Sequence, residues 1–289
     1  MRMDDQQESQ NVEDVRGSSG GGFRPIHGIG LGTIAVALIG GWIFGVSPLQ
    51  VLNLLSGGTP DQQIAPSQAA PPPADDAQAK FVSQVLRSTE MVWGDMFTQM
   101  GRTYQDPKLR LYRDSYPTAC GLGQAAAGPF YCGQDRIVYL DLSFFDLMTQ
   151  RLGAPGQFAH AYVIGHEVGH HVQNLLGTLD KVNAQRERGS QTQSNALSVR
   201  LELQADCFAG VWANRSQQEQ GWRLESGDID SALNAASQIG DDTLQRRARG
   251  TVVPDTFTHG TSAQRVAWFK RGFQSGQTDA CDTFGAQQL

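Results

Sequence analysis

Two histidines and a glutamate stand at a spacing suited to binding a metal ion and activating water. In the run His166-Glu167-Val168-Gly169-His170 the histidines are four residues apart inside an apolar, helical pattern, so both imidazoles point to one side of the predicted helix. Neutral imidazoles at this spacing suit Zn²⁺, and a catalytic zinc site keeps one position open for water. Glu167 would lie beside that position and accept the proton of the water. We therefore predict one Zn²⁺ held by His166 and His170, with Glu167 as the catalytic base.

Two neighbouring residues indicate how this helix is packed. Gly169 removes a side chain between the two histidines and costs about 1 kcal/mol of helix stability relative to Ala, which favours close approach by another element. His171 adjoins His170 but points about 100° away around the helix. It is therefore a poor co-ligand, and we expect it on the surface or packed behind the site.

A third protein ligand is expected from the next strongly helical segment. Glu202 and Asp206 are four residues apart there and share one helix face. Their neighbours are apolar, which argues against a solvated charged face, and acids in such surroundings need a partner. The simplest assignment makes Glu202 the third zinc ligand, with Asp206 accepting a hydrogen bond from the far ring nitrogen of a ligand histidine. The alternative places Asp206 on the metal and Glu202 outside.

Both motifs resemble those of the bacterial predicted neutral zinc metallopeptidase family. They read His166-Glu167-Val168-Gly169-His170-His171 and Glu202-Leu203-Gln204-Ala205-Asp206-Cys207-Phe208-Ala209-Gly210. The likeness covers most of the chain, from Asn11-Val12-Glu13-Asp14 to Phe257-Thr258-His259-Gly260-Thr261-Ser262. Members resemble the gluzincin branch of the zincins, in which a His-Glu-x-x-His helix is paired with a Glu-x-x-x-Asp helix. The resemblance implies a membrane-anchored, zincin-like domain, and it supports the metal site more than any one substrate.

A further resemblance concerns stabilisation of the reaction intermediate. His259 lies in a polar turn before an apolar helix, and its segment is similar to the downstream Thr-His motif of membrane-associated gluzincins. As a catalytic residue, His259 would donate a hydrogen bond to the tetrahedral oxyanion. A helix-capping or surface role is the alternative, and Tyr139 and Tyr162 are other candidate donors.

The order of the predicted elements indicates an α+β fold with a small antiparallel or mixed sheet. Hydrophobic periodicity predicts helices over residues 77–100, 158–176, 195–215, 228–245 and 262–273, and strands over 109–112 and 137–142. Residues 138–143 come just before the metal helix. In zincin-like folds an edge strand at this place pairs with the extended substrate backbone, and a plain core strand is the other interpretation.

The N-terminal part of the chain is divided into three segments. Residues 1–27 are polar and rich in Gly and Ser, which predicts a disordered cytoplasmic tail. Residues 28–46 are 19 consecutive uncharged residues, about the length that spans a bilayer, and we assign one transmembrane helix to residues 28–49. Residues 50–76 are rich in Pro, Ala and Gln and are predicted to be a linker. Residues 77–289 remain as the metallopeptidase domain.

Charges on either side of the apolar run predict its orientation. Arg16 and Arg24 precede it, whereas no Lys or Arg follows it until Lys80, so the positive-inside bias places the N-terminus in the cytoplasm. We expect a single-pass protein of the bacterial inner membrane with a periplasmic or extracellular domain. A cleaved signal peptide is the rival interpretation, against which the acidic lead-in and Pro48 argue.

The four cysteines are consistent with an oxidising compartment. Cys120 and Cys132 enclose 11 residues of Gly-rich chain, and a disulfide there would contribute on the order of 3 kcal/mol. Cys207 and Cys281 would form the remaining pair. Cys207 could instead be a buried thiol near the metal, because it adjoins Asp206. A cysteine-based metal site is rejected, since no two cysteines are separated by two to four intervening residues.

Composition narrows the classes of function. The chain has 289 residues and a formal charge of -6, and this acidic balance argues against nucleic-acid binding. We predict zinc-dependent hydrolysis of peptide bonds in a peptide or protein substrate. The alternative is a non-catalytic, zinc-stabilised scaffold protein of the envelope. A purely structural site needs four closed protein ligands and no base, so Glu167 favours the enzyme. A hydrolase of non-peptide amides fits the same motifs.

Overall fold

The computed structural model describes residues 1, 6–17, 69–124, 128–220, 223–225 and 227–289. Its strands are β1 Val12–Asp14, β2 Lys108–Tyr112, β3 Ser115–Thr118, β4 Gly121–Gln124, β5 Phe130–Cys132 and β6 Ile137–Asp141. Its α-helices are α1 Ala77–Gln99, α2 Ser143–Gln150, α3 Gln157–Leu175, α4 Thr178–Arg186, α5 Gln191–Gln220, α6 Asp228–Gln238, α7 Asp241–Arg249 and α8 Ser262–Ser275. Short 3-10 turns cover Pro254–Thr256 and Thr278–Cys281.

A small mixed sheet lies beside a larger set of helices, which confirms the predicted α+β class. The strand order is β1-β2-β6-β5. β1, β2 and β6 run parallel, and β5 runs antiparallel to β6. β3 and β4 form a separate antiparallel hairpin. Helix α3 packs against α1, α5 and α6, and α5 makes its most extensive contacts with α8.

Of the two interpretations of residues 138–143, the core strand is confirmed and the substrate-pairing edge strand is wrong. β6 lies between β2 and β5 in the sheet, and all five of its residues are buried. From Ile137 to Tyr139 it pairs with β2 on one side and β5 on the other, so this part of the strand is not available to an added peptide. β5 is the edge strand on this side of the sheet. Sequence periodicity could not separate the two cases, because it reports burial and not strand order.

The predicted disordered tail is also wrong for residues 11–17. β1 pairs in parallel with β2, and Val12 lies opposite Leu109. The side chains of Val12 and Val15 are only 6% and 4% exposed. A three-residue strand between polar neighbours carries little local signal, and its partner strand lies far away in the sequence. Only the assembled sheet specifies this strand.

Contacts on both sides hold β1 in the sheet. Asp14 and Ala70 exchange two backbone hydrogen bonds of 2.7 and 3.3 Å, so the chain passes beside β1 again before α1. Arg16 forms an ion pair of 2.8 Å with Asp76, whose side chain caps the first turn of α1. Glu90 on α1 accepts hydrogen bonds from Ser9 and Asn11. Residues 9–16 are therefore an integral part of the domain.

No helix among the described residues is long and apolar enough to cross a bilayer. The transmembrane helix predicted at residues 28–49 lies outside the described residues, as does the predicted linker up to residue 68.

Glycines permit two close contacts between helices near the C-terminus of the chain. A Cβ atom on Gly272 of α8 or on Gly210 of α5 would collide with backbone atoms of the partner helix, so α5 and α8 approach as only glycine allows. The predicted helix over residues 228–245 is interrupted at Gly240, where a Cβ would lie 2.5 Å from the backbone nitrogen of Ser262. The extended backbone of Gly240, with φ -70° and ψ 143°, separates α6 from α7.

Two disulfides cross-link separate parts of the described fold. Cys120–Cys132 joins the β3–β4 hairpin to β5, with a Cα–Cα distance of 5.8 Å. Cys207–Cys281 joins α5 to the last 3-10 turn, with a Cα–Cα distance of 5.6 Å. Both pairs are those predicted, and Cys207 is not a free thiol.

We expect β1 to contribute measurably to stability. Val12→Ala and Val15→Ala each remove two buried methyl groups and should each lower the free energy of unfolding by about 1–2 kcal/mol. Urea unfolding of the full chain measures the change, with Gln10→Ala at an exposed neighbouring position as the matched control. If all three variants unfold with the midpoint of the wild type, β1 does not stabilise the domain.

Candidate metal centre and active site

Helices α3 and α5 bring the three predicted ligands together. Nε2 of His166 lies 3.1 Å from one carboxylate oxygen of Glu202, and Nε2 of His170 lies 3.4 Å from the other. One donor atom from each of the three residues lies within 4.8 Å of the others. Two imidazole nitrogens and one carboxylate oxygen are a donor set that suits Zn²⁺, and three protein ligands leave a fourth position for water or substrate. The residues present therefore fit the metal.

The predicted close approach at Gly169 is confirmed. A Cβ atom at Gly169 would lie 3.0 Å from the carbonyl oxygen of Ala205 and 3.1 Å from its Cα atom. Four residues earlier on α3, a Cβ at Gly165 would lie 2.7 Å from the ring of Trp212. The missing side chains let the backbones of α3 and α5 approach closely, which brings the carboxylate of Glu202 within reach of both imidazoles.

Asp206 lies on the opposite side of the His166 ring from Glu202. Its carboxylate accepts hydrogen bonds from Nδ1 of His166 at 2.8 Å, from the hydroxyl of Tyr162 at 2.5 Å and from Nε of Arg265 at 2.8 Å. A proton held on Nδ1 leaves the lone pair of Nε2 directed at Glu202. The geometry thus favours Glu202 over Asp206 as the third ligand. Asp206 contacts Nδ1 of His166, whereas the nitrogen that can bind a metal, Nε2, faces Glu202.

A buried guanidinium keeps Asp206 charged. Burial raises the pKa of Asp206, but Arg265 and His166 outweigh this effect and lower the pKa to about 2. Arg265 is itself buried and donates to both carboxylate oxygens of Asp206. Sequence analysis did not identify Arg265 as part of the site. The sequence did contain an indication of its role. Arg265 stands three residues before Trp268 and four before Phe269, so it lies on the apolar face of α8.

Glu167 is a buried acid that lines a cleft together with the metal ligands. The cleft has a volume of about 620 Å³ and is bordered by His166, Glu167, His170 and Glu202. Burial raises the pKa of Glu167, and the two neighbouring histidines only partly oppose this effect. A carboxylate whose pKa is shifted toward neutrality is better matched to proton transfer than an exposed one.

His259 is held at the cleft by a carboxylate. Its ring borders the cleft and is 42% exposed, and its Nδ1 lies 3.1 Å from Asp241. Asp241 also accepts hydrogen bonds from the backbone N–H groups of Thr258, His259 and Gly260. Burial lowers the pKa of His259, but Glu202 and Asp241 outweigh it and raise the pKa. Sequence analysis missed Asp241, because it was taken as an interior residue of a continuous helix.

The two tyrosines considered as donors have other partners. Tyr162 borders the cleft, but its hydroxyl donates to Asp206. The hydroxyl of Tyr139 donates to Asp135 at 2.8 Å, and its ring stacks on Phe130. Tyr139 does not line the cleft, and the structure therefore does not bring it to the metal centre.

His171 packs behind the site, one of its two predicted positions. Nδ1 lies 3.0 Å from the hydroxyl of Tyr131, and Nε2 lies 2.6 Å from the carbonyl oxygen of Gln105. The carbonyl can only accept, so Nε2 carries the proton and Nδ1 accepts from Tyr131. Both ring nitrogens of this buried histidine are satisfied away from the ligands.

A mixed α+β fold that brings two imidazoles, a carboxylate and a buried glutamate to one cleft defines a candidate zinc metalloprotein. A family model described as "Putative neutral zinc metallopeptidase" matches residues 1–284, and the chain belongs to this family. Uncharacterized protein YpfJ of Escherichia coli K12 is 53% identical over 292 residues, which cover 99% of each chain. Uncharacterized proteins of Mycobacterium bovis and Mycobacterium tuberculosis H37Rv are 41% identical over 211 residues, 70% of this chain and 69% of theirs. No solved structure matches.

His171 gives stability a pH dependence of known sign. Burial lowers the pKa of His171 from its ordinary value of 6.5 to about 4. Between these values the unfolded chain binds a proton that the folded chain does not, so stability falls as the pH drops from about 6.5 to about 4. The difference amounts to roughly 3 kcal/mol.

We expect His171→Gln to remove most of this dependence. Urea unfolding of the wild type and the variant at pH 7 and pH 4.5, with a chelator present, measures it. The comparison uses the difference between the two pH values within each protein, so a constant loss of packing cancels. Equal differences in both proteins would contradict the assignment.

Proposed function

We propose that this chain is a zinc-dependent peptidase with a zincin-like active site. The observation that carries the proposal is the convergence of His166, His170 and Glu202 at a cleft that is also lined by the buried carboxyl group of Glu167. Membership of a zinc metallopeptidase family supports the same activity.

One zinc ion would be held by Nε2 of His166, Nε2 of His170 and the carboxylate of Glu202. When bound, zinc supplies Lewis acidity, which lowers the pKa of water and polarises a carbonyl group. Asp206 and its partner Arg265 fix the ring of His166 so that the protonated nitrogen faces away from the metal.

Glu167 acts as the proton carrier of the reaction. As a carboxylate it accepts a proton from the attacking water, and the resulting carboxylic acid then gives that proton to the leaving amine. The net reaction consumes one water and yields a carboxylic acid and an amine. The raised pKa of Glu167, caused by burial, suits a group that must bind and release a proton in each cycle.

His259 stabilises the negative charge that develops on the scissile carbonyl oxygen. Asp241 accepts a hydrogen bond from Nδ1 of the ring, so Nε2 donates to that oxygen only when the ring is protonated on both nitrogens. The neighbouring carboxylates raise the pKa of His259, so the donating form is favoured. Asp241 therefore orients a catalytic residue without contacting substrate.

The edge strand β5 provides the binding surface for an extended peptide. β5 is the terminal strand of the sheet on this side, and its residues Phe130 and Tyr131 border the cleft. A peptide that adds to such an edge forms main-chain hydrogen bonds irrespective of its sequence. This places a scissile bond beside the metal ligands without requiring a particular side chain.

We expect Glu167→Gln to separate zinc binding from hydrolysis. Loss of the base should reduce the rate of peptide cleavage by about 10²–10⁴-fold, while zinc stays bound because its three ligands are unchanged. His166→Ala should lose both properties. Cleavage of a diverse peptide mixture by the full chain, read by mass spectrometry alongside zinc content, measures these effects.

Glu187→Gln, at an exposed position, is the matched control and should cleave like the wild type. Full activity in the Glu167→Gln variant would show that Glu167 is not the catalytic base. A wild-type chain that binds stoichiometric zinc and cleaves nothing in the mixture would support the scaffold alternative.

We also propose that the domain is extracytoplasmic and that residues 6–17 share its compartment. The two disulfides support an oxidising environment. A single membrane crossing at residues 28–49 would put β1 and β2 on opposite sides, where they could not pair. We therefore replace the predicted cytoplasmic N-terminus with one on the same side as the domain. Residues 28–46 remain the candidate for membrane attachment.

Thiol labelling of intact cells tests this arrangement. Glu8→Cys and Asp95→Cys place reporters at exposed positions, one beside β1 and one on α1. We expect a membrane-impermeant maleimide to label both, with labelling after lysis as the control for reactivity. Labelling of Asp95→Cys alone would mean that β1 is on the other side of the membrane. Labelling of neither would contradict the extracytoplasmic location.

A further inference from the structure

A row of side-chain amides connects the second ligand histidine to a disulfide. Nδ1 of His170 lies 2.8 Å from the side-chain oxygen of Gln173. The amide nitrogen of Gln173 donates to the carbonyl oxygen of Leu201 at 2.7 Å and to the side-chain oxygen of Gln204 at 3.1 Å. The amide nitrogen of Gln204 donates to the carbonyl oxygen of Cys281 at 3.0 Å.

The direction of every hydrogen bond in this row is determined at its far end. Backbone carbonyls only accept, so Leu201 and Cys281 require the nitrogen of each amide to face them. The oxygen of Gln204 must then face Gln173, and the oxygen of Gln173 must face His170. An oxygen at this place accepts a hydrogen bond from a protonated Nδ1 of His170, which leaves Nε2 unprotonated toward Glu202. The row thereby selects the ring tautomer that can bind a metal.

The disulfide fixes the acceptor at the end of the row. Cys281 lies in the last 3-10 turn and is joined covalently to Cys207 on α5, the same helix that carries Gln204. Without the bond, only non-covalent contacts would hold the carbonyl of Cys281 beside Gln204. Gln173 is fully buried, so water does not readily replace a partner that it loses, whereas Gln204 and Cys281 border a second cleft.

We propose that Gln173 is the positioning residue of His170, and that Gln204 and the Cys207–Cys281 disulfide hold Gln173 in its orientation, so that zinc affinity depends on this disulfide. The inference rests on the proposed metal site. It distinguishes the two ligand histidines, since His166 is oriented by the charged pair of Asp206 and Arg265 and His170 by neutral amides.

Zinc affinity, measured on the full chain by competition with a chelator, tests the role of Gln173 without reference to catalysis. Gln173→Met removes the acceptor and should weaken zinc binding by about 10- to 100-fold. Gln173→Glu keeps an acceptor oxygen for Nδ1. Because burial disfavours the charged form of a carboxyl group, its second oxygen is protonated and can still donate to Leu201, so this variant should restore most of the affinity. Gln204→Met should cause a smaller loss of roughly 3- to 10-fold. Equal affinities for Gln173→Met and the wild type would overturn the proposal, as would a Gln173→Glu variant as weak as Gln173→Met.

Gln245→Met is the matched control for these variants. Gln245 is also buried, and it binds Thr256 and Val253 away from the ligands, so its loss should leave zinc affinity unchanged. Thermal unfolding of each metal-free variant shows whether the fold is intact. A loss of affinity of similar size in Gln245→Met would mean that the assay reports general loosening, and the proposal would fail.

The two disulfides provide a matched pair for the second part of the proposal. The double variant Cys207→Ser/Cys281→Ser should bind zinc more weakly than Cys120→Ser/Cys132→Ser, which should match the wild type. Equal affinities in the two double variants would overturn the dependence on the disulfide. A wild-type chain that binds no zinc would instead refute the proposed metal site itself, so the two failures are distinguishable.

Discussion

The buried ion pair between Asp206 and Arg265 is the interaction on which the metal centre depends. It joins α5 to α8, and through the hydrogen bonds of Asp206 to Tyr162 and His166 it joins both to α3. Removing one partner of such a pair typically costs about 3–5 kcal/mol, because a buried charge is left without compensation. The orientation of a metal ligand and the packing of three helices therefore rest on the same contact, and neither can change without the other.

The carboxylates of the candidate site carry more negative charge than the neighbouring arginine neutralises, which favours binding of a cation. Glu202 and Asp206 are both ionised, since nearby positive groups lower the pKa of each despite burial, and Arg265 compensates only one of them. In the metal-free chain, protonation of His166 offsets part of this excess negative charge. Burial lowers the pKa of His166, but Asp206 and Glu202 outweigh burial and raise the pKa to about 10. Zinc at the candidate site would therefore compete with protons for the same imidazoles.

Sequence patterns predicted the parts of the site that follow from helical periodicity. The positions of His166, Glu167 and His170 on one helix and the packing role of Gly169 derive from local spacing, whereas Glu202 was assigned because a catalytic zinc site needs a third protein ligand. Sequence patterns did not predict the roles of Arg265, Asp241 and β1, because each acquires its role from a distant segment. The strand order of β5 and β6 escaped for the same reason, since an alternating or apolar run reports that a strand is buried but not which strands flank it. The α+β class was predictable because it depends only on the order of elements.

The position of β1 has a consequence for how the domain can be divided. A chain shortened to begin at α1 would keep all the metal ligands, yet it would leave β2 with no neighbour on one side. The exposed backbone groups of Lys108–Tyr112 would then be free to pair with the same strand of another molecule. Self-association of such a fragment would reflect the missing strand and not a natural oligomer. The N-terminal residues would thus protect the folded domain against aggregation.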